Sequence, residues 1–591
     1  MRWVGFCGGN VWLVNWVTGH LVAEGEKVVF YREKQMKSGI LTSVLLAAVF
    51  CALGTLGITA DAQAAKKPNV VVLMQDDTGW TDFGAYLGGA ALGHPTPNVD
   101  QMAKEGVMFT NWYGQASCTA GRASFMTGRI PIRTALSIVV APGDQNSIRK
   151  QTPTIAEFFK KNGYSTYYSG KWHLGDKPEA YPIEHGFDVM KNFAAYYAGV
   201  YTYNDTSEWF HPWFPSYNKN INDKYLDIVN LYEWEGEAGK PARKGPLIDW
   251  DYLAELDVNQ TKNAVAYIKA HAKDDKPFFM DVNFMKMHNP NNPAKEFAGK
   301  SRLGRYSDSL MEMDHNIGQI LDAIREYAPN TIVVTTADNG AWQDAYPDAG
   351  TNPFRGEKGT SFEAGWRVPG IMWWPGKIPA GEVRHEMMTH IDLWSTLASM
   401  AGIKPPPHGE WKDDNGKPIY FDSIDNSAYV LGKAEHSARK SWMYVDGEEF
   451  GAVRVDICGD QENADICIAW KYTWNAKDTW LGTQALLGSI GSLYNLTMDP
   501  YEKYDMIFNG AQAARLPKSS PGQYAGMDNG WILAAVYVPL IEFDKSIMAY
   551  PNLKRYPGGA SKDLMPNLEN PENPVPALDP ENPPKIQATG G

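Results

Sequence analysis

Cys118, in the run Cys118-Thr119-Ala120-Gly121-Arg122, is the odd thiol of this chain. The 591 residues contain five cysteines. Cys7 and Cys51 lie within a leader-like amino-terminal segment, so an exported, processed chain keeps three. Cys458 and Cys467 are near enough to close a short loop in an oxidising compartment, with two buried free thiols as the alternative. An unpaired thiol in an exported protein is either buried or reactive. Two further pairs, Asp76-Asp77 and Asp338-Asn339, supply hard oxygen ligands with no imidazole or thiolate among them. That set suits Ca2+ or Mg2+ rather than zinc. A lone Asp-Asp pair is more often a helix cap or a solvated turn, but two acidic pairs at separate strand ends favour a metal. Around them stand Arg122, Lys171, His173, His288 and Lys358. Such a group can hold a compact anion and stabilise negative charge developing on a leaving oxygen.

Positioning these groups requires strands that end where they stand. Four apolar runs, Asn69–Met74, Tyr164–Ser169, Pro277–Phe284 and Thr331–Ala337, lack clean alternation and read as strands buried on both faces of a parallel sheet. Asp76 and Asp77 follow the first run, Lys171 and His173 the second, His288 the third, Asp338 and Asn339 the fourth. Ligands of open α/β sheets bind just beyond such carboxyl ends. Between the runs, Asp257–Lys273 carries Val258, Ala264, Ile268 and Ala272 at helical spacing. Leu303–Tyr327 carries Leu310, Met313, Ile317, Ile320, Leu321 and Ile324. The expected fold class is therefore α/β, a large mainly parallel sheet flanked by helices. After about residue 440, the short strand-like segments Trp442–Val445, Ala452–Ile457, Ile466–Trp474 and Ser492–Leu496 predict a small antiparallel sheet. The expected organisation is residues 1–65 as an upstream extension and signal peptide, 66–440 as the catalytic domain, 441–550 as a smaller domain, and 551–591 as a tail rich in Pro and Asn.

Composition narrows the partners. A formal net charge of −13 argues against general nucleic-acid binding, which needs a basic face. It does not exclude an anionic substrate, which responds to the local field of its pocket. Met36-Lys37, the apolar run Ile40–Ile58 and Ala62-Gln63-Ala64 have the layout of a secretory signal, with Met36 as the expected start. A single membrane anchor is the competing reading, weakened by Gly54 and Gly57 and by the Ala-x-Ala that follows. The chain is expected to be exported, periplasmic or secreted, with no stable membrane span after processing.

The run from Cys118 continues Ala123-Ser124-Phe125-Met126-Thr127-Gly128-Arg129, and it resembles the signature of type I sulfatases (arylsulfatases). The resemblance extends to Gly170-Lys171-Trp172-His173-Leu174-Gly175, Asp76-Asp77, Asp338-Asn339-Gly340, and Gly356-Glu357-Lys358 with Arg367-Val368-Pro369. Thr389-His390-Ile391-Asp392-Leu393, Leu493-Tyr494-Asn495-Leu496 and Asp499-Pro500 complete it, in the family's order from about residue 68 to 505. Ala120 stands where the most familiar versions have Pro, which leaves open which maturation system acts on Cys118 and how completely. The resemblance implies an alkaline-phosphatase-like fold, Ca2+ (Mg2+ as the alternative) on Asp76, Asp77, Asp338, Asn339 and residue 118, and conversion of Cys118 to formylglycine by a formylglycine-generating enzyme. Lys171, His288 and Lys358 are then expected to bind the sulfate.

The implied reaction starts from the aldehyde hydrate at position 118. One hydroxyl attacks sulfur and the alcohol or phenol departs, protonated by His288 or Lys358. His173 then takes the proton of the second hydroxyl, the aldehyde re-forms and sulfate is eliminated. Arg122 orients residue 118 and Lys171 bridges it to the sulfate. Substrates are expected to be small-molecule or carbohydrate sulfate esters. A phosphonate or phosphate ester hydrolase of the same superfamily is the first alternative, because sulfate and phosphate are isosteric; an inactive binding protein is the second. Between Phe193 and Tyr252 the chain is rich in rings, among them Tyr196, Tyr197, Trp209, Trp213 and Trp250. These rings either pack a small core of their own or wall the site, where they would favour aryl or ring-bearing esters.

Overall fold

The computed structural model describes residues 2–7, 10–15, 66–197, 231–412, 416–459, 467–480, 485–486, 491–507 and 529–556. Residues Met1–Lys66 and Lys67–Gly591 form two separate units. In the first, Arg2–Cys7 pairs antiparallel with Asn10–Asn15; the apolar run Ile40–Ile58 and the Ala-x-Ala site lie outside the described residues.

The second unit is built on an 11-stranded sheet. Its strands are β1 (Asn69–Gln75), β2 (Val107–Tyr113), β3 (Ser165–Lys171), β4 (Val189–Ala194), β5 (Tyr232–Glu237), β6 (Arg243–Leu247), β7 (Phe278–Asn283), β8 (Thr331–Ala337), β9 (Arg367–Trp373), β10 (Glu382–Arg384) and β11 (Met388–Thr389). They lie in the order β10-β2-β9-β8-β1-β7-β3-β4-β5-β6, with β11 also on β2. The central five, β8-β1-β7-β3-β4, are parallel. β1 shows why the apolar runs do not alternate: Val70, Val72 and Met74 pack into the core on one face, Val71 and Leu73 into the core on the other. All four strands expected from the sequence are among these central ones: Thr331–Ala337 has the expected bounds, and the other three differ by a residue or two at their ends. The strands β2, β4 and β9 carry no comparable signal in the sequence.

Helices cover both faces. Cys118–Thr127 forms α1, Trp250–His271 α2 and Arg305–Tyr327 α3. The predicted stripe of α3 is buried in full, from Leu310 to Ile324. α2 begins seven residues before the expected Asp257 because the Asp249 side chain accepts the Tyr252 N–H and caps it there. A four-stranded antiparallel sheet follows, β12 (Ser441–Asp446), β13 (Glu449–Cys458), β14 (Cys467–Thr473) and β15 (Ser492–Asn495). Cys458 faces Cys467 across the β13–β14 pair, and the two are disulfide-bonded. A helix not foreseen in the sequence, α4 (Trp531–Ala549), lays Ile532 and Val536 on this sheet beside Val453, Val455 and Leu493. Among the described residues no helix is long and apolar enough to cross a membrane. The Asn- and Pro-rich tail beyond residue 556 lies outside the described residues.

Candidate active site

β1 and β8 are neighbours in parallel register, Gln75 beside Ala337, so the acidic pairs that follow them emerge side by side. The Asp338 N–H donates to the Gln75 carbonyl (3.0 Å) and the Asp77 N–H to Asp338 Oδ1 (3.3 Å). Asp77 itself takes a left-handed backbone, φ 55°. Cys118 is the first residue of α1. A β-carbon at Gly121, one turn on, would lie 2.1 Å from the Asp338 carbonyl oxygen, so only glycine lets this helix end rest against the β8 terminus. One ligand atom from each of Asp76, Asp77, Asp338 and Cys118 falls within 4.8 Å of the others, and all four residues are buried.

Three carboxylates held this close repel one another when ionised. Burial first, and the charge on Asp76 next, push the Asp338 carboxyl up to about 7 in the metal-free protein. Asp76 Oδ1 and Asn339 Oδ1 are buried and accept no hydrogen bond among the described residues. The oxygen-rich donor set and these orphaned acceptors fit a hard divalent cation.

Positive groups close around the acids. Lys171, at the end of β3, pairs with Asp76 Oδ2, and Lys358 Nζ lies 2.7 and 2.8 Å from the two oxygens of Asp77. Burial opposes the charge on Lys358, but the acidic groups around it, Asp77 foremost, together outweigh it and hold the ammonium well above its usual range. Arg122 Nε donates to Asp338 Oδ2 (2.9 Å), while Nη1 donates to the Lys171 carbonyl (2.6 Å) and to Asn283 Oδ1 (2.8 Å). One guanidinium thus ties together α1 and the ends of β3, β7 and β8. Burial, then Lys358, brings His288 down to about 4, so its ring is neutral at neutral pH. Its Nδ1–H donates to the Asn289 carbonyl (2.6 Å), which leaves Nε2 bare, 3.7 Å from Asp77 Oδ2. His173 has the opposite tautomer: Nε2–H donates to the Val140 carbonyl (3.1 Å), and the buried Nδ1 has no partner among the described residues. Burial, then Lys171, holds this imidazole well below its usual range. Burial also pushes the Cys118 thiol up to about 12, so the unmodified side chain is no thiolate at neutral pH.

The geometry that gathers a buried cysteine, an oxygen-lined cation cradle and two lysines coincides with a match of the Sulfatase family model to residues 68–403. The chain belongs to the sulfatase family. It is 34% identical to the N-acetylgalactosamine-6-sulfatase of Canis lupus familiaris over 478 residues, covering 76% of this chain and 83% of that one. It is 30% identical to the arylsulfatase G of Mus musculus over 413 residues, 66% of this chain and 74% of that one. The crystal structure of the PsFucS1 sulfatase from Pseudoalteromonas sp. superposes with a TM-score of 0.71 at 26% identity, covering 88% of this chain and 97% of that one. This sulfatase is therefore a sulfuric ester hydrolase.

Its ten predicted site residues all fall at one end of the large sheet. Sequence reasoning missed Asn283, the last residue of β7 and the partner of Arg122, although the strand-end rule that selected the others also applies to it. It missed Trp342 and Trp480 as well: Lys358 Nζ lies 5.5 and 4.9 Å from their ring centroids. Of the ring-rich segment, Tyr196 stands edge-on to His173 (5.6 Å) and Tyr197 leans over His288 (4.9 Å). Trp234 packs on Tyr181 instead. Tyr196 and Tyr197 belong to the ring-rich segment read from the sequence; Trp209 and Trp213 lie outside the described residues.

Proposed function

We propose that this sulfatase is exported through an amino-terminal signal and hydrolyses carbohydrate or aryl sulfate esters with formylglycine at position 118. The observation that carries the proposal is the placement of Cys118, buried among three carboxylates with a thiol pKa too high for a sulfur nucleophile. Oxidised to formylglycine by a maturation enzyme, residue 118 supplies an aldehyde whose hydrate has one hydroxyl to attack sulfur and a second to expel sulfate. Asp76, Asp77, Asp338 and Asn339, with residue 118, would hold Ca2+, with Mg2+ the alternative; the ion supplies charge neutralisation and polarisation of an oxygen nucleophile.

Lys171 and Lys358 take the nonbridging sulfate oxygens, and Arg122 fixes the residue-118 helix against β8. His288 or Lys358, both of which reach Asp77, protonates the leaving oxygen. His173, with a free Nδ1, takes the proton whose loss regenerates the aldehyde. Similarity to N-acetylgalactosamine-6-sulfatases favours a sugar ester. The tryptic peptide ending at Arg122 is expected to carry an aldehyde in active protein, and Cys118→Ala to lose turnover with its fold intact. A thiol mass in fully active protein overturns the formylglycine reading. Nitrophenyl sulfate turnover that survives chelation, or elemental analysis showing zinc, overturns the calcium reading. Faster turnover of nitrophenyl phosphonate than of nitrophenyl sulfate overturns the assignment of substrate.

A further inference from the structure

Lys358 lies between two partners of different kinds: Asp77 on one side, and the indoles of Trp342 and Trp480 on the other. The two indoles meet edge to face, centroids 4.7 Å apart and planes at 74°, and Trp342 lies 6.1 Å from the ring of His288. They form a corner of two ring faces beside the lysine and histidine assigned above to the sulfate. Both tryptophans are half-buried.

The corner is held from behind. Glu357, buried and next to Lys358 in the chain, accepts the Asp344 N–H through Oε2 (2.7 Å) and the Trp480 N–H through Oε1 (2.8 Å). One carboxylate therefore fixes both tryptophan segments, although they are far apart in sequence. Gly359, on the other side of Lys358, admits Trp480: a β-carbon there would lie 2.1 Å from the indole Cδ1, and its backbone is left-handed, φ 73°. Shielding Lys358 needs only one ring. Two rings at a right angle, clasped by a dedicated carboxylate, make a shaped surface.

We propose that Trp342 and Trp480 form the leaving-group platform of this sulfatase, receiving the apolar face of a six-membered ring, with Glu357 as its positioning residue. The inference rests on the sulfatase reading of the site and deepens it. It places the ring-binding wall on the β8–β9 connection and on the segment after β14. A pyranose and an arene offer the same flat apolar face, so both should use the corner, whereas a methyl ester should not.

The test measures sulfate release from N-acetylgalactosamine 6-sulfate, nitrophenyl sulfate and methyl sulfate by the mature, metal-loaded enzyme. Wild type, Trp342→Ala, Trp480→Ala, Trp480→Phe and Glu357→Gln are compared. For Trp480→Ala and Trp342→Ala, kcat/KM on at least one ring-bearing ester should fall roughly ten-fold or more beyond any fall on methyl sulfate, mostly through KM. Trp480→Phe should recover part of the loss, and Glu357→Gln should shift the same ratio in the same direction. A fall confined to the sugar ester identifies the pyranose as the occupant, and one confined to nitrophenyl sulfate identifies the arene. An equal fall on all three esters, or a change in kcat alone, overturns the platform and leaves the indoles as packing around Lys358. A wild type that releases sulfate from none of the three overturns the functional reading instead, an outcome the variants do not affect.

Discussion

Arg122 shows how much one side chain can set. Its guanidinium touches Asp338, the Lys171 carbonyl and Asn283, residues from three strands that meet only in the folded chain. Lysine has a single nitrogen and cannot span them. Arg122→Lys is expected to lower kcat about a hundred-fold with a smaller change in KM, because residue 118 and its helix would be misplaced rather than the substrate lost. Steady-state kinetics on nitrophenyl sulfate checks this; a change in KM alone contradicts it. Asp338→Asn keeps the shape of the cradle and removes one charge. Since an ion that binds only the folded state stabilises it by about 2.7 kcal/mol at a hundred times its Kd, wild type should gain thermal stability on Ca2+ titration. The variant should gain far less over the same range, and an equal gain in the two proteins would show that Asp338 is no ligand.

At the scale of elements, the small sheet is fixed to the large one by buried charge. Lys471 of β14 reaches Glu363, just before β9 (3.2 Å), and Glu502 (2.8 Å). Tyr113 of β2 and Tyr444 of β12 both donate to Glu363, at 2.6 Å each. Burial opposes ionisation of Glu363, but Lys471 and then Arg454 outweigh it and hold the carboxyl at about 2. Burial instead pushes Glu502 up to about 7. Lys471→Met strands two buried carboxylates, so a loss of about 3–5 kcal/mol is expected in urea unfolding. Adding Glu502→Leu should recover part of it; no recovery would show that the cost is packing rather than charge. The Cys458–Cys467 bond acts within one hairpin and adds about 2–3 kcal/mol in the chain-entropy model. Alkylation without reduction should label neither cysteine, and reduction should lower Tm only modestly.

Over the whole molecule, buried groups pull the pH dependence of stability in opposite directions. Burial raises Asp82, Asp257 and Asp314 to about 6 and Asp281 to about 7. Burial lowers His185 to about 4 and His390 to about 3. Each carboxyl contributes stability at low pH that is lost as pH rises through its folded value. Each imidazole costs stability as pH falls from 6.5 toward its folded value. The two sets overlap and offset each other between about pH 4 and 7, so a single group is better read through a variant. Asp281 is suited to this because its Oδ1 has no hydrogen-bond partner among the described residues. Relative to wild type, Asp281→Asn should gain roughly 2–3 kcal/mol in urea unfolding between pH 5 and pH 8. An advantage that is the same at both pH values would mean that Asp281 does not titrate between them.

Local sequence determined the parts of this sulfatase. The short, β-branched apolar run Val70–Met74 reads as a strand covered on both faces, and the stripe from Leu310 to Ile324 as a helix with one face inward. The polar residues that end those runs were therefore legible as a site: Asp76, Asp77, Lys171, Asp338 and Asn339 meet where the strand-end rule put them. Segments with weaker patterns were not legible. β2 carries Thr110 and Asn111 inside its run, β9 carries Pro369 and Gly370, and α4 contains Pro539, which argues against a helix until packing on the small sheet compensates. Partnership was decided only by the tertiary structure. The strand order departs from chain order, so β1 lies between β7 and β8, and Trp480 reaches Lys358 across more than a hundred residues. No periodicity encodes such contacts, because each arises from burying two surfaces against each other, and that complementarity belongs to the assembled sheets rather than to either segment.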